Sequence, residues 1–255
     1  MPLKYAVKTD IGNVRQTNED SFLVLEDIGF FAVADGMGGH AGGEIASQMC
    51  VDELAQHLRQ PLAKFRSSPL AKGANTLESM KAICDPIIQM ISTKIYERAL
   101  VEPALKGMGT TLTSVFLLYN RAYYAHVGDS RLYLFRKGFL YQISVDHTLV
   151  QDLLQEKSIN KEEFKTHKLR NIITRCVGFQ EVENIDYGEI ILENGDLLLL
   201  CSDGLSSLLE DTEIALELLT GRMEALDPLV NLAKNHGGSD NITVILVEYD
   251  EKNNP

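Results

Sequence analysis

The chain has 255 residues, of which 45% are hydrophobic and 24% are charged, and its formal net charge is −12. This length and composition suit one large globular domain, or two small ones, with a sizeable core. The acidic balance argues against a nucleic-acid-binding protein, because phosphate backbones are held mainly by Lys and Arg.

The first part of the chain combines short strand patterns with two long helical patterns. Strands are predicted at Lys4–Lys8, Ser21–Leu25 and Phe30–Ala34. Apolar residues then recur at spacings of three and four, first from Ile45 to Leu58 and again from Leu77 to Ile95, as expected of amphipathic helices. Pro86 interrupts the second pattern, which predicts a kink or two separate helices there.

A dense group of strands follows, and a second group ends the chain. The first is predicted at Thr111–Leu118, Arg121–Val127, Arg131–Arg136 and Phe139–Ile143, and the second at Ile185–Leu192, Leu197–Cys201 and Ile242–Tyr249. The short breaks within the first group favour antiparallel hairpins. A polar, helix-prone stretch separates the groups, and further helices are predicted between Asp211 and Asn235. Strands and helices in separate blocks indicate a layered α+β domain. No linker divides the chain, so residues 1–255 are expected to form a single domain.

Several features bear on the cellular setting. No apolar run approaches the ~20 residues that span a bilayer, and residues 1–10 lack the pattern of a signal peptide. The four cysteines show no CxxC or CxxH spacing, so they are interpreted as reduced core thiols. We therefore expect a cytoplasmic protein that does not bind membranes, and a monomer, since no heptad or exposed apolar stripe stands out.

Five aspartates share a position next to apolar strand patterns. They are Asp20, Asp35, Asp129, Asp203 and Asp240. Each one alone is more typical of a turn, because Asp and Gly supply the backbone angles of a chain reversal. As a set, they would bring several carboxylates to one end of a sheet sandwich. Such a cluster needs neutralising cations, and oxygen ligands favour Mg²⁺ or Mn²⁺. Two such ions suit the hydrolysis of a phosphate ester.

At these residues the chain resembles the type 2C, or PPM, protein phosphatases, particularly their compact bacterial members. The matching motifs are Gly12-x-Val14-Arg15-x-x-Asn18-Glu19-Asp20-Ser21, Ala34-Asp35-Gly36-Met37-Gly38-Gly39-His40, Gly109-Thr110-Thr111, His126-Val127-Gly128-Asp129-Ser130-Arg131, Cys201-Ser202-Asp203-Gly204-Leu205 and Gly238-Ser239-Asp240-Asn241-Ile242-Thr243-Val244. They occur in the family's order and span nearly the whole chain. Six ordered motifs make this resemblance specific.

The resemblance implies a four-layer sandwich, in which two packed antiparallel β-sheets are flanked by pairs of α-helices. It also implies that Asp35 bridges two Mg²⁺ or Mn²⁺ ions. Asp203 and Asp240 would complete one metal site, and Asp20 with the carbonyl of Gly36 the other. A third, weaker ion would lie between Asp129 and Asp203.

The remaining roles also follow from the resemblance. Arg15 matches the arginine that holds the substrate phosphate, which suits a planar, bidentate donor. Water held between the metals would attack phosphorus directly, without a covalent phosphoenzyme. His40 is a candidate general acid, although packing against the following helix explains it equally well. Residues 146–184 match the family's flap, but Lys168 stands where a proline is common. The expected substrates are proteins phosphorylated on Ser or Thr, including kinases and their substrates.

Three alternatives remain at this point. The stretch Gly36–Ala41 loosely fits a dinucleotide-binding GxGxxG/A loop, although Asp35 would repel a pyrophosphate. A pseudophosphatase on the same fold would usually lack a metal ligand, whereas all are present here. A metal-dependent hydrolase of small phosphate esters would use the same chemistry and the same residues.

Overall fold

Two β-sheets form the centre of the fold over the residues that the structure, a computed structural model, describes: 3–38, 42–73, 75–180 and 184–251. The strands are β1 Lys4–Asp10, β2 Asp20–Leu25, β3 Phe30–Met37, β4 Gly109–Thr110, β5 Leu112–Leu118, β6 Arg121–Val127, β7 Arg131–Arg136, β8 Phe139–Gln142, β9 Asp186–Ile191, β10 Leu197–Cys201 and β11 Ile242–Glu248. The helices are α1 Gly42–Arg66, α2 Thr76–Val101, α3 Leu149–Gln155, α4 Lys161–Thr166, α5 Asp203–Ser206, α6 Asp211–Gly221 and α7 Leu226–Asn235.

The pairing of the strands confirms the antiparallel expectation. One sheet has the order β1-β11-β10-β7-β8, and the other has the order β2-β3-β5-β6-β9, with β4 paired to β3. Every pair among these strands is antiparallel. The dinucleotide-binding alternative requires parallel strands joined by crossover helices, so this topology argues against it.

Strand β10 shows how the layers are built. Leu198 and Leu200 are buried between the two sheets, whereas Leu197 and Leu199 are buried against α6 and α7. This division follows from the two-residue period of a strand, which sends successive side chains to opposite faces. An apolar run is therefore required here, because both faces of the sheet are covered. The other sheet packs its outer face on α1 and α2. The four layers α-β-β-α match the predicted sandwich.

Two local predictions differ from the structure. The chain continues through Pro86 as one helix, α2, so the prediction of two separate helices was wrong. Strand β3 does not end at Ala34 but runs to Met37, because Gly36 and Met37 pair with β4. Asp35 therefore lies within a strand and not after one.

The stretch predicted as a flap contains the two short helices α3 and α4. The first is capped by Thr148, whose hydroxyl accepts from the Gln151 N–H. The second begins with a capping box, in which the Asn160 side chain accepts from Glu163 N–H and the Glu163 carboxylate accepts from Asn160 N–H. These caps make the start of each helix a property of the local sequence. Residues 181–183, near the end of the predicted flap, lie outside the described residues.

The structure bears on two expectations about the cellular setting, the state of the cysteines and the presence of membrane-spanning helices. All four cysteines are free and buried, as expected of core thiols. Among the described residues, no helix combines the length and the apolar character needed to cross a membrane.

Candidate active site

Asp20 and Asp35 face each other on neighbouring strands. Asp20 is the first residue of β2, and the register of the two strands places it directly opposite Asp35 in β3. Side chains of directly opposed residues lie on the same face of a sheet. The Asp35 backbone is held by Thr111, whose hydroxyl accepts from Asp35 N–H at 2.9 Å and whose N–H donates to Asp35 O at 2.8 Å. Two carboxylates are thus fixed side by side.

Asp203 and Asp240 come from the other sheet, at the adjoining ends of β10 and β11. Asp203 is the first residue of α5, and Asp240 lies two residues before β11. Gly204 holds these two connections together, because a Cβ on this residue would lie only 1.9 Å from the carbonyl oxygen of Asn241. Only a glycine permits so close an approach of two backbones.

Ser202 links the two sheets at this point. Its hydroxyl donates to Asp20 Oδ2 at 2.7 Å and accepts from Thr243 N–H at 2.9 Å. Ser202 is completely buried. It therefore orients the Asp20 carboxylate from the end of β10, a role that its position in the sequence did not reveal.

Arg15 reaches the same cluster from the loop between β1 and β2. Its Nη2 donates to Asp240 Oδ2 at 2.7 Å, and its side chain is 46% exposed. The loop is held by Asn241, whose side chain accepts from Glu19 N–H at 2.8 Å and donates to the carbonyls of Ile11 and Thr17, both at 3.0 Å. The sequence motif contained Asn241 but gave no sign of this role, since the bonds join residues more than 200 positions apart.

Gly36, near the end of β3, is another glycine at which two backbone segments approach closely. Gly36 N–H donates to the carbonyl of Glu19 at 3.1 Å, and a Cβ on Gly36 would lie 2.1 Å from the carbonyl oxygen of Gly43. The start of α1 therefore lies directly against the strand that carries Asp35. This packing fixes the backbone of Gly36, the residue that follows Asp35.

Burial and mutual repulsion make the carboxylates harder to ionise. Burial raises the pKa of Asp35 well above its ordinary value, and the charges of Asp20 and Asp203 raise it further. Burial, with smaller contributions from Asp203 and Asp240, raises the pKa of Asp20 to about 7, although the hydrogen bond from Ser202 opposes this. Burial raises the pKa of Asp203 to about 6. The charge of Asp240 raises the pKa of Asp203 further.

The cluster fits a bound cation. Asp20 Oδ1 is buried and has no hydrogen-bond partner, and a buried polar atom left unpaired is costly. A divalent ion would satisfy that oxygen and offset the repulsion that raises the pKa values. In the observed orientations, no three His, Cys, Asp or Glu side chains of the described residues converge on one point as ligands. The Asp240 carboxylate accepts from Arg15 instead.

Asp129 lies at the side of the cluster, beside a cleft of about 370 Å³. Burial raises the pKa of Asp129 well above its ordinary value, with further contributions from Asp203 and Asp146. The cleft lies between the flap and α5, and its lining also includes Arg131, Phe164 and Arg170.

The structure brings together all but one of the predicted site residues. Arg15, Asp20, Asp35, Gly36, Asp203 and Asp240 form one cluster, with Asp129 at its edge. His40, the candidate general acid, lies outside the described residues.

Comparison with known proteins identifies a family for this chain. The family model described as protein phosphatase 2C matches residues 13–240. The serine/threonine phosphatase stp of Listeria monocytogenes is 36% identical over 248 residues, which cover 95% of this chain and 94% of that protein.

Solved structures with the same fold cover nearly the whole chain. The serine/threonine phosphatase of S. agalactiae superimposes with a TM-score of 0.86 at 33% identity, covering 97% of this chain and 100% of that one. The catalytic domain of the phosphatase PstP in complex with two manganese ions gives a TM-score of 0.80 at 38% identity, covering 97% and 98%. The chain therefore belongs to the protein phosphatase 2C family of metal-dependent serine/threonine phosphatases.

Proposed function

We propose that this chain removes phosphate from phosphoserine and phosphothreonine in proteins by direct hydrolysis at a two-metal site, without a covalent phosphoenzyme. The observation that carries the proposal is the buried carboxylate cluster, in which Asp20 Oδ1 has no hydrogen-bond partner and the pKa values of Asp20, Asp35 and Asp203 are raised. Such a cluster is suited to divalent cations. The names of the relatives support the substrate class.

The ligands are assigned from the family resemblance of the motifs that carry them. Asp35, Asp203 and Asp240 would hold one ion, and Asp35, Asp20 and the Gly36 carbonyl would hold the other. Asp129 and Asp203 would hold a third, weaker ion. An all-oxygen set favours Mg²⁺ or Mn²⁺, and the complex of PstP with manganese supports this class of ion. When bound, the ions supply a water of lowered pKa and offset the charge of the phosphoryl group.

The protein's own side chains position the substrate. Arg15 lies at the rim of the cluster, where its guanidinium contacts Asp240 and its side chain is 46% exposed. A planar fork of donors matches two phosphoryl oxygens. In this proposal Arg15 turns from Asp240 to the phosphate, which frees the Asp240 carboxylate for its ion. His40 is proposed to protonate the leaving alkoxide, on the basis of its place in the sequence after Asp35 and Gly36.

The partners follow from the same assignment. We propose that the chain acts on phosphorylated kinases and their substrates, works in the cytoplasm as a monomer, and forms one catalytic domain with a flap at about residues 146–184. The net charge of −12 does not favour nucleic acid as a partner.

The test of the proposed function is phosphate release from a phosphothreonine peptide. Activity is measured first with Mn²⁺ or Mg²⁺ and then with EDTA in excess, and we expect it to disappear on chelation and to return when metal is added back. Para-nitrophenyl phosphate serves as the small-ester substrate. Activity that survives chelation would contradict the two-metal site, and activity confined to the small ester would favour a general phosphate-ester hydrolase.

Replacement of Arg15 should separate substrate binding from metal binding. We expect Arg15→Ala to raise KM for the phosphopeptide by about 10-fold or more, because charge-assisted hydrogen bonds to phosphate are lost. Arg15→Lys keeps the charge but not the bidentate fork, so it should be intermediate. Steady-state kinetics at saturating Mn²⁺ measures the effect. The control is Arg59→Ala, which removes an exposed arginine paired with Asp27; an unchanged KM in Arg15→Ala would remove Arg15 from the phosphate site.

A further inference from the structure

The two ends of the flap meet at His147. Where the flap begins, the His147 carbonyl accepts from Thr174 N–H at 2.9 Å, and Thr174 belongs to the returning end of the flap. The next residue, Thr148, forms an antiparallel bridge with Ile173. The departing and returning segments are therefore joined by backbone hydrogen bonds at this one place, and His147 is buried there.

His147 also holds the turn that precedes Asp129. Its backbone N–H donates to the Gly128 carbonyl at 2.7 Å, and its Nδ1 accepts from Gly128 N–H at 3.1 Å. Gly128 has φ +109°, and a Cβ there would lie 2.6 Å from Thr111 Cγ2. The turn is thus enclosed by Thr111 on one side and bound through both of its backbone groups on the other.

These hydrogen bonds fix the tautomer of His147. Because Nδ1 accepts from Gly128 N–H, the proton of the neutral ring is on Nε2. Nε2–H then donates to Asp186 Oδ2 at 3.2 Å, and Asp186 Oδ1 accepts from Arg175 Nη1 at 3.1 Å. The same Arg175 nitrogen lies 3.2 Å from Nε2, but two donors do not form a hydrogen bond. The ring therefore joins the Gly128 turn to Asp186 at the start of β9, and the Asp186 carboxylate in turn accepts from Arg175 in the returning end of the flap.

We propose that His147 is a positioning residue that joins the Asp129 turn and both ends of the flap into one unit. It acts on Asp129 through Gly128 and on the flap through Asp186 and Thr174. The position of the flap and the orientation of Asp129, which we assigned to the third ion, are then coupled. The metal part of this inference rests on the proposed function, whereas the coupling itself rests on contacts of this chain alone.

Two substitutions divide the contacts of His147. The Gln in His147→Gln places an amide where Nε2 lies, so it keeps the donor to Asp186 and loses the acceptor for Gly128 N–H. The Asn in His147→Asn places its amide where Nδ1 lies, so it keeps that acceptor and loses Asp186. Both are polar and similar in size to imidazole. Asp186→Asn is the matched control, since it weakens the flap link without altering the ring.

The first readouts use the metal-free protein. Hydrogen exchange of peptides that contain Gly128 should be about 10-fold faster in His147→Gln and close to wild type in His147→Asn, because opening of a local hydrogen bond governs exchange. Trypsin cleavage in the flap, at Lys157, Lys168 or Arg170, should instead be faster in His147→Asn and in Asp186→Asn. Thermal unfolding checks that each variant is folded.

The second readout is Mn²⁺ binding by calorimetry. Loss of a residue that orients a metal ligand commonly costs about 10–100-fold in affinity. We therefore expect the weakest site to lose about 10-fold in His147→Gln, with the tighter sites unchanged, and less in His147→Asn. Wild-type rates of exchange and cleavage in both variants would overturn the coupling. A wild-type protein that binds only two Mn²⁺ would remove Asp129 from the proposed ligands, while the exchange and cleavage data would still decide the role of His147.

Discussion

Replacement of Asp35 by Asn should lower kcat for a phosphothreonine peptide by about 10³-fold or more. Asp35 lies opposite Asp20 in the paired strands, and the charges of Asp20 and Asp203 both raise its pKa, so it is the carboxylate between the two halves of the cluster. An amide in its place keeps the shape but removes the negative charge that two bridged cations require. The loss should appear at saturating phosphopeptide and should be only partly relieved by raising Mn²⁺.

The comparison variant is Asp27→Asn. This variant makes the same change at an exposed residue, where Asp27 pairs with the exposed Arg59, and surface pairs contribute little. Its kinetics should match those of wild type. Calorimetry with Mn²⁺ should show weaker binding in Asp35→Asn and no change in Asp27→Asn. A kcat within 10-fold of wild type in Asp35→Asn, together with unchanged Mn²⁺ binding, would show that Asp35 does not hold the catalytic ions.

Although Asp35→Asn should lower kcat, it should raise the stability of the metal-free protein. The pKa of Asp35 is raised in the folded state, so folding at neutral pH works against the ionisation of this group. The wild-type folded state therefore binds an extra proton, and its stability falls as pH rises from the ordinary carboxyl pKa through the raised one. Asn does not titrate. Metal-free Asp35→Asn should melt above wild type at neutral pH, and the difference should vanish below about pH 4.

Much of the fold could be predicted because local signals and tertiary packing agree. In β10 the leucines on both faces are buried, so the apolar run marks a covered strand without knowledge of its neighbours. The end of β3 was harder to predict, since Gly36 and Met37 become part of a strand only through pairing with β4, more than 70 residues away. The continuity of α2 was also harder to predict. Pro86 disfavours a helix, but α2 packs on the sheet on both sides of this residue, and that packing keeps the helix continuous.

The residues of the site also divide into those that the sequence could predict and those that it could not. Aspartates next to apolar strands, with Arg15 upstream, were visible as motifs, and the structure brings them into one cluster. The residues that orient them were not visible. Ser202, Asn241 and His147 act through hydrogen bonds to residues remote in the chain. A buried serine or asparagine has the same appearance in a sequence whether it orients a ligand or ends a strand, because only its partners distinguish the two roles.

Gly204→Ala should test how closely the two aspartates of the second sheet depend on one backbone contact. The added Cβ would lie 1.9 Å from the Asn241 carbonyl oxygen, and two backbone segments have no rotamer by which to avoid it. The start of α5 must then move away from the loop before β11, so Asp203 and Asp240 separate. We expect a loss of about 3 kcal/mol or more in the free energy of unfolding, measured by urea denaturation.

The matched control is Gly73→Ala. Gly73 has an extended backbone with φ −82°, and a Cβ there would lie 3.3 Å from the Leu70 carbonyl oxygen, so the change should stay within about 1 kcal/mol. Measurements of activity distinguish a loss of stability from a displacement of the metal ligands in Gly204→Ala. At a temperature where Gly204→Ala remains folded, its kcat should still be reduced and its Mn²⁺ affinity weakened, because displaced ligands no longer share an ion. Wild-type kcat and affinity in the folded variant would mean that Asp203 and Asp240 are positioned by their strands alone, and that the contact at Gly204 serves only the packing of α5.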